Sequence, residues 1–211
     1  MYDFLIRNGM VVDGTGKPAF AADVAIQGNR IAQVAPDIRE EARDTYDAKG
    51  KYVIPGLIDP HVHEEWYCFD DGSYESYIRQ GVTTLVNGNC SHSVVPGHKK
   101  EILDYYLGNG LVGIKQYQRY MEKWPDWHDF AGYCDAVATV GTNCNFVTLL
   151  GHGSIRQYVM HGAYNRPPTN WSRPRLRPSS ATTWTRAPGA SLSVWTMCPA
   201  ATPPLMSCAT W

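Results

Sequence analysis

Three side chains in this sequence have the type and spacing to hold a metal ion: His61, His63 and Cys90. His61-Val62-His63 carries two imidazoles at i and i+2, which in a strand point to the same side. Neutral imidazole nitrogen is a common zinc ligand. A bare pair of this kind is more often two solvated loop histidines. The preceding Val53-Ile54-Pro55-Gly56-Leu57-Ile58-Asp59-Pro60 favours the metal reading, because it sets the pair at the end of an apolar run. Cys90 ends the next apolar segment, in Gly88-Asn89-Cys90-Ser91. A thiolate there can face the same ion, since coordination lowers a thiol's pKa. The alternative is a buried structural cysteine. His152, in Gly151-His152-Gly153, ends a third such segment. It is read either as lining the site or as a histidine satisfied in a loop. His92, His98, His128 and His161 lack such placement and are read as surface or loop residues.

The elements that must position these groups come in two grammars. Over residues 1–50, short strands alternate weakly, as in a small half-buried antiparallel sheet. Arg7-Asn8-Gly9 and Gln27-Gly28-Asn29 each read as a tight hairpin turn between strands. Arg39–Asp47, with alternating charges, reads as a solvated face. From Lys51 the pattern changes. Tyr52–Ile58 reads as a strand buried on both faces, typical of parallel sheets. A helix is predicted over 73–80 with Gly81 as its stop. Strands follow over Val82–Val86 and Asn145–Leu150, with helices in 99–107, 115–123 and 127–140 between them. Trp124-Pro125-Asp126-Trp127 reads as a helix-start turn with core aromatics and Asp126 as N-cap. Strand–helix alternation of this kind predicts an α/β fold, including the (β/α) barrel, whose sites assemble at the strands' C-terminal ends.

Bulk composition narrows the function classes. The chain has 211 residues, is 44% hydrophobic and 18% charged, and so reads as globular. A net charge of −1 gives no reason to expect nucleic acid or an anionic membrane as partner. No apolar run is long enough for a membrane span, and the N-terminus lacks the pattern of a secretory signal. The six cysteines are scattered with no CxxC pair, which fits a reducing cytoplasm better than a disulfide framework. The expected location is cytoplasmic.

Beyond Arg166 the grammar breaks. Residues 167–211 hold eight of the fourteen prolines and four of the seven tryptophans, yet no Asp, Glu or Lys. No acidic residue follows Asp135. A Pro-rich disordered tail is one reading, but four tryptophans are unusual there. A reading-frame shift is the other, and the genetic code tests it. If each true codon starts at the third base of a written one, Asn170-Trp171 must give Leu. Trp184-Thr185 and Trp195-Thr196 must each give Asp, and Met197-Cys198 must give Val. The shifted frame thus restores acids where the written one has none.

With these motifs in hand, a resemblance is close. Val53–His63 resembles the signature of the amidohydrolase superfamily. Gln80–Ser91 resembles the N-acyl-D-amino-acid deacylase (D-aminoacylase) branch, as do Leu149–Arg156 and the start of a further block at Arg166–Thr169. The resemblance covers residues 1 to about 169. It implies a zinc enzyme with one or two ions, hydrolysing N-acyl-D-amino acids to a carboxylate and a D-amino acid. His61 and His63 would be metal ligands, with Cys90 as a further one. It implies a (β/α) TIM-type barrel beside a small β-sandwich. The expected division is 1–50, N-terminal part of the sandwich; 51–166, first part of the barrel; and 167–211, an irregular, frameshifted tail. The branch also needs two more histidines and a general-base aspartate from later strands, which this chain lacks, so no catalytic residue is assigned. The chain by itself is therefore expected to be an inactive fragment. A hydantoinase- or dihydroorotase-like amidohydrolase is the alternative enzyme, and a non-catalytic binding fragment the alternative class. Side-chain preference and oligomeric state do not follow from the sequence.

Overall fold

The computed structural model describes residues 1–162, 165–170, 195–198 and 208–209. Two compact units emerge: residues 1–58, 75–83 and 203–211, and residues 59–74 and 84–202.

The first unit is built on β1 (Tyr2–Val11), β2 (Phe20–Gln27), β3 (Arg30–Ala35), β4 (Ala42–Asp47) and β5 (Tyr52–Val53). β1 pairs antiparallel with β2, which pairs antiparallel with β3 across the expected Gly28-Asn29 turn. On its other side β1 runs parallel to β4 and then to β5. Alternation along β1 sends Ile6 to one face with Val24, Ala48 and Val53, and Leu5 to the other with Ala25 and Ile38. Both faces therefore carry apolar packing.

Two expectations fail here. Asn8-Gly9 is not a hairpin turn. Asn8, at φ 60°, lies inside β1, where the register against β2 shifts between Ile6 and Gly9. The turn-prone pair makes a bulge, held by the Asn8 amide donating to Asp23 at 2.8 Å. The charged 39–47 stretch is indeed largely exposed, but Ala42–Asp47 is also a strand, joined to β1 through its backbone.

The apolar run at 52–58 is likewise not one strand. Ile54-Pro55-Gly56 breaks it into β5 and β6 (Leu57–Asp59). Leu57 and Ile58 are 46% and 63% exposed rather than buried, because β6 is the edge of its sheet. Next come α1 (Cys68–Asp71), α2 (Glu75–Ile78) and β7 (Val82–Asn87). α3 (Lys99–Gly108), α4 (Ile114–Lys123) and α5 (Phe130–Val140) lead to β8 (Asn145–Leu149) and α6 (His152–Val159). The second sheet has the order β6-β7-β8-β9, with β7 and β8 parallel and β9 (Trp195–Cys198) antiparallel on β8. β10 (Cys208–Ala209) pairs with β5. These two short strands lie in the stretch expected to be irregular; the rest of that stretch beyond residue 170 lies outside the described residues.

Aromatic rings fill the second unit. Trp127 stacks on Phe69 and Trp124, with centroids 5.3 and 5.6 Å away, and both tryptophans are 2% exposed. Asp129, not Asp126, caps α5, accepting from Gly132 N–H at 2.8 Å. Asp126 instead accepts from the backbone N–H of Lys99 and Trp127. Cys134 is disulfide-bonded, while Cys68, Cys90 and Cys144 are free. No helix among the described residues is long and apolar enough to cross a membrane.

Candidate metal centre

The three residues singled out by spacing sit within the second unit, on two loops at the same end of the sheet. β6 stops at Asp59, whose carboxylate accepts from His61 N–H at 3.1 Å. Val62 is buried and donates to Val86 O at 3.0 Å, so the chain remains paired to β7 past the strand's end. That pairing keeps His61 and His63 flanking a buried anchor. Their ring centroids are 5.4 Å apart at 73°.

Cys90 arrives from a tight turn after β7. Gly88, Cys90 and Ser91 all have positive φ, at 80°, 53° and 69°. His92 N–H closes the turn on Asn89 O at 2.9 Å. Two non-glycine residues in the left-handed region store strain of about 1–3 kcal/mol each, which the surroundings must hold. The surroundings do so. A Cβ on Gly88 would lie 2.0 Å from Leu149 O, and one on Gly151 would lie 2.5 Å from Ser91. Ser93 N–H donates to Ser154 Oγ, which donates back to Ser93 O, both at 2.8 Å. The loops after β7 and β8 are thus bolted together.

The result is convergence. His61 Nε2 lies 3.2 Å from Cys90 Sγ. One ligand atom from each of His61, His63 and Cys90 falls within 4.8 Å of the others. Two donors on one tetrahedral zinc, at about 2.05 Å for nitrogen and about 2.3 Å for sulfur, are about 3.5 Å apart. The donor set and its spacing therefore fit a divalent ion. Burial, followed by the nearby His61 charge, holds the His63 imidazole below its usual pKa, in the neutral form a metal needs. Its Nδ1 is buried with no hydrogen-bond partner among the described residues.

Two neighbours went unrecognised in the sequence. Glu65 is fully buried and its carboxyl is pushed up to about 8 by burial, so it is neutral at pH 7. Tyr106 O–H donates to its Oε1 at 3.0 Å. His92, read as a surface or loop residue, is half-buried with its ring 6.2 Å from that of His63. Its Nδ1 is also buried and unpartnered among the described residues. The detectable signal was Cys90-Ser91-His92, a second i, i+2 pair of donors. His152 opens α6 and is exposed.

Residues 44–172 match the family described as the amidohydrolase family. The chain belongs to that family. Among the amidohydrolase's relatives, a D-aminoacylase of Alcaligenes xylosoxydans xylosoxydans is 33% identical over 163 residues, 75% of this chain and 31% of the relative. An N-acyl-D-aspartate deacylase of the same organism is 30% identical over 178 residues, 83% of this chain and 33% of the relative. A solved D-aminoacylase with a binuclear metal center matches with TM-score 0.68 and 31% identity, over 83% of this chain and 35% of that one. An N-acyl-D-glutamate deacylase from Bordetella bronchiseptica, complexed with zinc and a phosphonate inhibitor, matches with TM-score 0.66 and 27% identity, over 83% and 34%. The amidohydrolase spans about a third of the length of each of these relatives.

Proposed function

We propose that this chain carries the first metal ligands of a zinc-dependent hydrolase acting on the amide bond of N-acyl-D-amino acids. The single observation that carries the reading is the approach of His61 Nε2 to Cys90 Sγ, with His63 in the same cluster. The named relatives, deacylases of N-acyl-D-amino acids, support the substrate class. One or two ions fit the binuclear center described for the D-aminoacylase neighbour. The mixed α/β fold agrees with β6, β7 and β8 being the opening strands of a (β/α) barrel, and with the first sheet being one share of a β-sandwich. The metal ligands would then lie at the strands' C-terminal ends.

Bound there, a zinc ion would lower the pKa of a coordinated water toward about 7 and polarise the amide carbonyl. The chain's own residues hold and orient. His61 and His63 would offer imidazole nitrogens from either side of the buried Val62. Cys90 would offer its sulfur from a loop fixed by Gly88, Gly151 and Ser154. Taking a proton from the attacking water and passing it to the departing amine needs a group that acts first as general base and then as general acid. The resemblance assigns that task to an aspartate from a later strand, and no acidic residue follows Asp135. This chain alone is therefore expected to bind metal without turnover. The resemblance implies a carboxylated lysine in hydantoinase-like enzymes where the deacylase branch has a cysteine, so Cys90 in the cluster disfavours that alternative.

The test is metal-dependent release of a D-amino acid from an N-acetyl-D-amino acid, measured on protein made from the gene with the frame after codon 169 shifted. Activity that disappears on chelation and in His63→Ala is expected. A folded, zinc-loaded protein that releases no D-amino acid from any such substrate contradicts the reading.

A further inference from the structure

Two helices of the second unit leave a concavity between them that the metal cluster does not use. A hollow of about 10 Å³ opens between α3 and α6, room for one group the size of a water, a methyl or an ammonium. Pro96, Ile102, Tyr105 and Tyr158 give it apolar walls, and Glu101 and Gln157 bring polar ends to it. Gly97 accounts for part of the space. A Cβ there would lie 3.4 Å from Glu101 Oε2 and 3.6 Å from both Ile102 Cγ1 and Tyr158 Cδ2, so three lining residues meet around a missing side chain. At φ 131° the position favours glycine.

Two hydrogen-bond acceptors serve the hollow. Gln157 Oε1 is buried with no hydrogen-bond partner among the described residues, a deficit that a donor in the hollow would relieve. The Glu101 carboxylate has no ion pair among the described residues, since the adjacent Lys100 is bound to Asp104 at 2.6 Å. Its Oε2 accepts from His98 N–H at 3.2 Å, which holds the carboxylate beside Gly97. Ser154 also lines the hollow, but its hydroxyl is committed to Ser93, accepting from its N–H and donating to its carbonyl, both at 2.8 Å. A ligand that fits must therefore bring its own donors, and a positive charge suits the carboxylate. Tyrosine walls tolerate that charge, because the ring quadrupole attracts cations.

We propose that this hollow binds the head group of a small primary alkylammonium ion. Its N–H groups would donate to Gln157 Oε1 and to the Glu101 carboxylate, and its alkyl stem would leave along Tyr158, which is 42% exposed. A quaternary ammonium has no N–H to donate and exceeds the space. A neutral alcohol of the same length offers Glu101 no charge. The site uses none of the metal ligands and stands independently of the metal-centre reading.

The test is a titration of the isotopically labelled, full 211-residue chain at neutral pH with n-propylammonium, tetramethylammonium and 1-propanol. Amide NMR shifts are followed in wild type, Glu101→Gln and Gln157→Leu. Glu101→Gln removes the charge but keeps a side chain that can close the capping box of α3. Gln157→Leu removes an unpaired acceptor at similar volume, so neither variant should unfold. Propylammonium should give saturating shifts clustered at residues 97–102 and 154–158, with affinity falling at least about threefold in each variant. Tetramethylammonium and 1-propanol should leave those amides unmoved at the same concentrations. Absence of shifts with propylammonium, the same shifts with either control ligand, or wild-type affinity in either variant would overturn the inference.

Discussion

His61 Nε2 and Cys90 Sγ stand 3.2 Å apart although 29 positions separate the two residues in the chain. Neither residue achieves this alone. The histidine is held by the pairing of Val62 to Val86, and the cysteine by a turn in the left-handed region pressed against Leu149. If that approach serves a metal, replacing the sulfur should matter more than replacing any other free thiol. Cys90→Ser is expected to weaken zinc binding at least about tenfold in competition with a chelating dye. Cys144→Ala, at a buried thiol outside the cluster, is expected to leave zinc affinity unchanged. Equal affinities for Cys90→Ser and wild type would remove the thiolate from the site.

The turn itself can be probed through glycine. Gly88 has φ 80° and its missing Cβ would strike Leu149 O at 2.0 Å, whereas Gly110 has φ 71° with nothing within 4 Å. Both alanine variants bear the cost of the left-handed conformation, about 1 kcal/mol. Only Gly88→Ala must also move backbone. Urea unfolding should show Gly110→Ala losing about 1 kcal/mol and Gly88→Ala at least about 3 kcal/mol. Similar losses would mean that the loops after β7 and β8 are not packed as described.

The extent to which this was legible beforehand varies by residue. His61 and His63 were readable because period-two geometry needs only local sequence and an apolar run ahead of it. His92 was not, because its placement depends on positive φ at Cys90 and Ser91, which non-glycine residues do not advertise. Glu65 sits in a charged-looking Glu64-Glu65 pair. Its burial comes from Tyr106 and Tyr133, 41 and 68 positions away, whose hydroxyls donate to its carboxyl and its carbonyl. Asn8-Gly9 carried a true turn propensity, but the continuing strand on both sides turned it into a bulge. Asp126 and Asp129 are equally good caps by residue type, and only the start of α5 at Phe130 decides between them.

Trp127 connects the helices to the strand side of the second unit. Its ring stacks on Phe69 and Trp124, and its Nε1–H donates to Val94 O at 2.7 Å. Trp127→Phe retains a ring but leaves that buried carbonyl without its donor and opens a void. A loss of about 2–4 kcal/mol is expected in denaturant unfolding. A change under 0.5 kcal/mol, taken as about the scatter of surface substitutions, would contradict the packing.

The frame-shift reading has its own test in the coding DNA. The family match ends at residue 172, and residues 167–211 hold no Asp, Glu or Lys. Read from the third base of each written codon, the DNA for 170–211 is expected to encode Leu, Asp, Asp and Val at the forced positions and to extend the similarity to deacylases. If an independent clone has the written frame and the shifted one shows no such similarity, the tail is the chain's own.

The central claim is that a cation sits among imidazoles and one sulfur on this chain. Zinc-edge X-ray absorption on the purified, zinc-loaded protein measures that shell directly. A single sulfur at about 2.3 Å with nitrogens at about 2.0–2.1 Å, the sulfur vanishing in Cys90→Ser, is the predicted result. A shell of oxygen and nitrogen alone, unchanged by that substitution, would contradict it.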